Sequence, residues 1–189
     1  MKNTKEKIIQ TAIALFRQEG YEKVSIDRIC GKCGVTKGSF YHHFNSKGDV
    51  LAEYFQTLTD RDSEYFSDYM DDRSCLEQLW CLIEHPIDYA MIMGHNTLKY
   101  LWMHDIQHGG DILSPFHNTF GKSKRNIAMI QLIEQGQKNG EINSTKPAQE
   151  LLFAYLSAFL GISVNWSADT SNYDVKSVLR RLFETIFLP

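Results

Sequence analysis

The chain has 189 residues, 43% apolar and 12% aromatic, which is enough to bury one or two small domains and too apolar for a disordered chain. Its net charge of −3 conceals a split: residues 1–50 hold nine Lys/Arg against five Asp/Glu (+4), and the remainder eleven against eighteen (−7). A basic head on an acidic body suits a polyanion-binding module joined to a part that stays off the polyanion, although chance variation in a short chain produces similar asymmetry.

Four cysteines, Cys30, Cys33, Cys75 and Cys81, in a chain of this size read as cytosolic, are not expected to form a disulfide framework. No apolar run is read as reaching the ~20 residues that span a bilayer. The N-terminal stretch is basic and then apolar, but its apolar residues are spaced helically and lead into Arg17 and Glu19 with no small-residue cleavage site. It reads as a mature helix of a cytoplasmic protein, not as a signal peptide.

Nearly every segment has helical periodicity. Ile8, Ala12, Leu15 and Phe16 share one face, with Asn3 as N-cap and Gly20 as the stop. Ser25 caps a helix from Ile26 to about Cys33 that turns Ile26, Ile29 and Cys30 inward. Gly34 permits a turn, Val35 plugs it, and Thr36 caps a helix ending near Phe44. Ser46 and Asp49 form an S-x-x-D capping box for a long helix from about Lys47 to Met70.

Asp71 to Ser74 punctuate, and a helix begins around Cys75. Pro86 is expected to interrupt or kink it near Glu84. A helical stretch follows from about Ile87 to Met103, with a break at Gly94, and Gln107 to Leu113 reads as loop. Ser114-Pro115 opens a helix that runs to Asn139 and is capped by Gly140. Pro147 to about Trp166 places Leu151, Tyr155, Ala158 and Ile162 on one face, widened by Leu152, Leu156 and Phe159. From Val175 to Phe187 the apolar residues recur at i, i+3, i+4, i+7, i+8, i+11 and i+12. That stripe is too apolar for water and must pack on its own domain, on a partner, or on both.

Ser25 to Lys47 carries the chemistry. A helix-turn-helix needs a small residue where the helices cross, a residue that permits the turn, and a polar outer face on the second helix. Cys30, Gly34 and the run Thr36 to His43 supply these. Phe40 and Phe44, four apart, point back into the core. Thr36, Lys37 and Ser39 sit at the end of the second helix that enters the major groove, and Gly38 leaves a bare spot for close backbone approach. Tyr41, His42 and Lys47 are placed for phosphate, and the N-terminus of the long helix at Lys47 offers N–H groups to an anion. With Ser25, these residues form the candidate DNA-binding set.

The ordered run of Ala12, Leu15-Phe16, Gly20-Tyr21, Ser25-Ile26 with Ile29, and GVTKGSFYHHF followed by SK resembles the DNA-binding domain of the TetR (tetracycline-repressor-like) family of bacterial transcription regulators. Cys30 and Cys33 stand where that family usually has small residues such as Ala. The likeness thins beyond about residue 55 and partly returns at EQGQKNGEI (134–142). It implies an all-α chain of about nine helices, with a three-helix DNA-binding domain over 1–48 and a larger helical ligand-binding and dimerisation domain over 49–189. It further implies a homodimer on double-stranded, near-palindromic operator DNA and repression relieved by a small-molecule effector. The last two helices then fall where the family dimerises, which makes Leu152, Tyr155, Phe159, Val175, Leu179, Leu182, Phe183 and Ile186 the candidate interface.

The middle of the chain is rich in aromatic residues and Met. Given a sensor domain, Tyr65, Tyr69, Trp80, Met91, His95, Trp102, Met103 and Phe120 are candidates to line an apolar ligand cavity, against the plainer reading of ordinary packing. Cys30-Gly-Lys-Cys33 lies late in an internal helix without a strand or a second C-x-x-C, so packing is preferred over redox or zinc chemistry. His104 and His108 have the i, i+4 spacing of a metal pair, yet a histidine near a helix C-terminus is already favoured by the dipole. The alternative reading is thus a redox- or metal-responsive DNA-binding sensor using one of these pairs. No nucleophile motif or phosphate loop appears, so no enzyme, cofactor or metal is assigned.

Overall fold

A computed structural model of the chain describes residues 4–69, 73–108, 124–168 and 173–188, without the side chains of 59–69. The described residues form nine α-helices and no strand: α1 (Thr4–Glu19), α2 (Ile26–Cys33), α3 (Lys37–His43), α4 (Lys47–Tyr69), α5 (Cys75–Met93), α6 (His95–His108), α7 (Lys124–Asn139), α8 (Ala148–Ala168) and α9 (Val175–Phe187). The expected caps at Asn3 and at Ser114-Pro115 lie outside the described residues. Gln107 and His108, read as loop, complete the last turn of α6.

Local signals set most of the helix ends. Ser74 and Glu77 bond reciprocally across the first turn of α5, and Ser46 and Asp49 do the same at α4. Gly94 separates α5 from α6 as expected.

Pro86 does not interrupt the helix, because α5 continues through it to Met93. A proline lacks the N–H that would bond the carbonyl four residues back. Here that carbonyl belongs to Leu82, and the Arg125 guanidinium on α7 donates to it at 2.7 Å. The proline's lost bond is replaced from another helix.

Two buried clusters organise the chain. The first joins α1, α2, α3 and the start of α4 around Ile8, Phe16, Ile29, Phe40 and Leu51, and it also takes in Met93, Leu98, Leu101 and Trp102 from α5 and α6. Apolar packing therefore continues across the expected division between residues 48 and 49. The second joins α5, α7, α8 and α9 around Leu79, Ile83, Met129, Leu152, Tyr155, Leu179 and Phe183.

This second cluster revises the expected dimer face. Leu152, Tyr155, Val175, Leu179 and Phe183 are buried inside the chain itself. A side chain without exposed surface cannot meet a partner, so these five serve the protomer's own core. Phe159, Leu182 and Ile186 remain half-exposed beside them.

The expectation about membrane spans is also corrected: α8 has 21 residues and is apolar enough to cross a bilayer by length and composition. It packs instead against α6, α7 and α9. Few residues of its apolar stretch are fully buried within the chain, and Phe153, Leu156, Phe159, Leu160 and Ile162 are only partly covered.

Candidate nucleic-acid interface

α2, the Gly34 turn and α3 form a helix-turn-helix. Ser25 Oγ accepts from Arg28 N–H at the start of α2, and Thr36 Oγ1 accepts from Ser39 N–H at the start of α3, each at 3.1 Å. Between the helices Gly34 adopts φ +67°, a left-handed conformation that any side chain would strain. Phe40 is fully buried, and Phe44 lies 5.9 Å from it, ring to ring, so α3 is pinned to the core by its inner face.

The outer face meets solvent. Thr36, Lys37, Gly38, Tyr41 and His42 are exposed, Tyr41 at 52%, and Ser39 is half-buried. An α-helix is about 10–12 Å across with its side chains, which suits a major groove roughly 12 Å wide. Gly38 has ordinary clearance, so its lack of a side chain answers no need inside the fold. Lys37 Nζ pairs with Asp27 Oδ1 at 2.7 Å, both exposed, and the bond to that carboxylate raises the Lys37 pKa. Such a pair is readily exchanged for a phosphate.

Lys47 departs from its expected role. Its ammonium donates to the carbonyls of Tyr21, Val24 and Glu22 at 2.7, 3.0 and 3.3 Å, and it lies 4.4 Å over the Tyr21 ring. Those three bonds use every donor an ammonium has, and burial lowers its pKa. Lys47 clasps the turn after α1 and is not free for phosphate. The start of α4 is likewise occupied, because Asp49 Oδ2 accepts from the N–H groups of Asn45 and Ser46 at 2.7 and 3.2 Å. A carboxylate thus sits where the sequence suggested an incoming anion.

The head meets α6 along a polar seam that single-residue reasoning missed. His104 Nε2 lies 2.7 Å from Asp49 Oδ1, Tyr21 stacks on Tyr100 at 4.5 Å, and the Tyr100 hydroxyl donates to Glu22. Burial beside Tyr100 and Asp49 pushes the Tyr21 phenol up to about 12. Burial alone would push Asp49 up. The bonds from His104, Ser46 and Asn45 outweigh it and hold the carboxyl below its usual range. Gly48 makes this approach possible, because a Cβ there would overlap the His104 ring. The capping box and the His104/His108 spacing were both legible, but their meeting was not.

The candidate ligand residues are dispersed. Trp102 is buried in the first cluster, and Trp80 in the second with its ring 5.4 Å from Phe183. Met91 and Met103 are exposed, and His95 meets Trp166 edge-on at 6.0 Å. The side chains of Tyr65 and Tyr69, and all of Phe120, lie outside the described residues. Trp102 Nε1 is buried and has no hydrogen-bond acceptor among the described residues. Cys30 and Cys33 are buried in the head core, and burial pushes the Cys30 thiol up, away from the reactive thiolate.

Residues 8–54 match the family model "Bacterial regulatory proteins, tetR family". The chain is 30% identical to the Transposon Tn10 TetC protein of Escherichia coli over 136 residues, 72% of this chain and 68% of that one. It is 24% identical to the HTH-type transcriptional repressor KstR2 of Rhodococcus jostii over 95% of this chain and 87% of that one. Its fold is similar to that of Thermus thermophilus FadR, a transcriptional repressor solved with lauroyl-CoA, with TM-score 0.58, 15% identity, and coverage of 96% and 92% of the two chains.

Proposed function

The chain belongs to the tetR family of bacterial regulatory proteins, and from that premise we propose that it is a homodimeric repressor released from operator DNA by an apolar small molecule. The observation that carries the DNA-binding half is the two-sided build of α3, with Phe40 fully buried and Thr36, Lys37, Tyr41 and His42 turned outward. Thr36, Lys37 and Ser39 read base edges and flanking phosphates, while Tyr41 and His42 hold the backbone. Residues 1–48 form the DNA-binding domain, and 49–189 the part that senses and dimerises. The work is done in the cytoplasm, and no catalytic step is assigned.

The incompletely buried apolar helix α8 supports the dimer. Two copies pairing through α8 and the outer side of α9, with Phe159, Leu182 and Ile186 in the contact, would cover it. They would set two α3 helices about one DNA turn apart. The buried indole N–H of Trp102, without an acceptor among the described residues, supports an effector site in the larger domain. Fatty acyl-CoA complexes of similarly folded proteins suggest a long-chain acyl group as the first class to try. An effector that binds one head spacing better than the other shifts the population accordingly.

The test is selection of duplexes from a random pool by the purified protein, followed by binding measurements with Lys37→Ala and Tyr41→Ala. Both variants should bind the selected duplex more weakly while keeping the native melting temperature. Unchanged affinity in both would sink the assignment of this face.

A further inference from the structure

We propose that Asp49, His104 and His108 form a binding site for a first-row divalent cation of the zinc type, which fastens the DNA-binding head to the sensing body. The site itself stands on geometry alone. Only its consequence for DNA rests on the regulator reading above.

One nitrogen of each histidine and one carboxylate oxygen of Asp49 lie within 4.8 Å of one another. Ligand atoms around a tetrahedral zinc sit about 3.3 Å apart, given bonds of roughly 2.0 Å. The Asp49–His104 separation of 2.7 Å and the outer spread of 4.8 Å bracket that value. Two imidazoles and one carboxylate are a donor set suited to zinc, cobalt or nickel and poorly suited to magnesium or calcium.

The supporting bonds orient these donors. Asp49 Oδ2 accepts from Asn45 and Ser46 N–H, and Oδ1 accepts from the Ser46 hydroxyl at 2.9 Å, which fixes the carboxylate plane. His108 Nδ1 lies 2.8 Å from the His104 carbonyl. A carbonyl only accepts, so Nδ1 carries the proton and Nε2 keeps its lone pair, the arrangement that metal-binding histidines use. The two rings stack at 4.2 Å on one face of α6, and Gly48 lets that face lie against α4. A cleft of about 470 Å³, bordered by Lys47, Tyr100 and Gln107, opens onto the three residues. It gives an ion a way in and leaves a fourth position for water.

An ion here replaces the proton between Asp49 and His104, and His104 turns to its Nδ1–H tautomer. Asp49 lies on α4, and both histidines lie on α6. Only Phe44, Asn45 and Ser46 separate α3 from α4. The ion therefore fixes the orientation of α3 against the body, and with it the spacing of two heads in a dimer.

The test is titration of the full-length, metal-free protein with Zn²⁺, and in parallel with Co²⁺. Native protein should bind one ion per chain and melt at a higher temperature with Zn²⁺. His108→Ala, at an exposed position, and His104→Ala should each weaken binding at least tenfold and remove the melting shift. No saturable binding, or unchanged affinity in both variants, would overturn the site. A sulfur-to-cobalt charge-transfer band would do the same, because it would place the ion on cysteines. Zn²⁺ should also change affinity for the selected duplex at least tenfold in native protein and not in His108→Ala. No change there would overturn the coupling. Failure to select any duplex would count against the regulator reading, and the ion titration would still judge the site.

Discussion

α3 and α8 both leave much of their surface outside the chain's own core, but in opposite chemistry. α3 is seven residues long, is anchored by Phe40, and turns hydroxyls, an ammonium, a phenol and an imidazole outward. α8 is 21 residues long and apolar on nearly every side, and Phe153, Leu156, Phe159, Leu160 and Ile162 are only partly covered by the protomer. Groups such as those on α3 remain well solvated until a polyanion replaces their water. The apolar side chains left partly exposed on α8 are unfavourable in water and are suited to burial against a partner.

The sharpest separation of inner from outer faces is at the aromatic anchors. Phe40→Ala should cost about 3–5 kcal/mol by cavity formation, seen in denaturant unfolding, and should abolish DNA binding with it. A small loss would mean that α3 is held otherwise. On the last helix, Leu182→Glu combined with Ile186→Lys should leave a folded monomer in sedimentation, a loss on the order of 3 kcal/mol in dimer affinity. Phe183→Glu should unfold the protein instead, because that side chain is fully buried. A native dimer in the double variant would move the interface elsewhere.

Arg125→Ala should cost about 1–3 kcal/mol, because the Leu82 carbonyl loses its donor. Faster amide exchange around Pro86 would report it. Lys37→Ala should be the mildest, with about 1 kcal/mol lost in DNA affinity and a salt dependence shallower by roughly one phosphate contact. Its melting temperature should stay native.

The head was largely legible in the sequence because its signals are local. Ser25, Thr36 and the Ser46–Asp49 pair act within one turn, and Gly34 acts on its own backbone. Where the deciding partner is distant, the sequence was silent. The donor that lets α5 pass Pro86 lies 43 residues from Leu82. The carbonyls that occupy Lys47 come from the turn after α1, 23 to 26 residues away. Periodicity marked the stripe of α9 as buried but could not divide it. Leu179 and Phe183 face the chain's own core, and Leu182 and Ile186 lie on the flank. The assignment of Lys37 and Tyr41 to DNA rests on residue type and exposure together.

Gly48 has a consequence for anyone building chimeric regulators. A head is joined to its body by packing as well as by the chain, so a graft must match both. Here a Cβ at position 48 would overlap the His104 ring, so the seam must shift to admit any side chain there. A transplanted head bearing alanine or serine there must displace the His104 ring from Asp49 or seat differently, and a resulting loss of response could be mistaken for a wrong operator. Matching that one position between donor and recipient is therefore a compatibility rule for grafts onto this body.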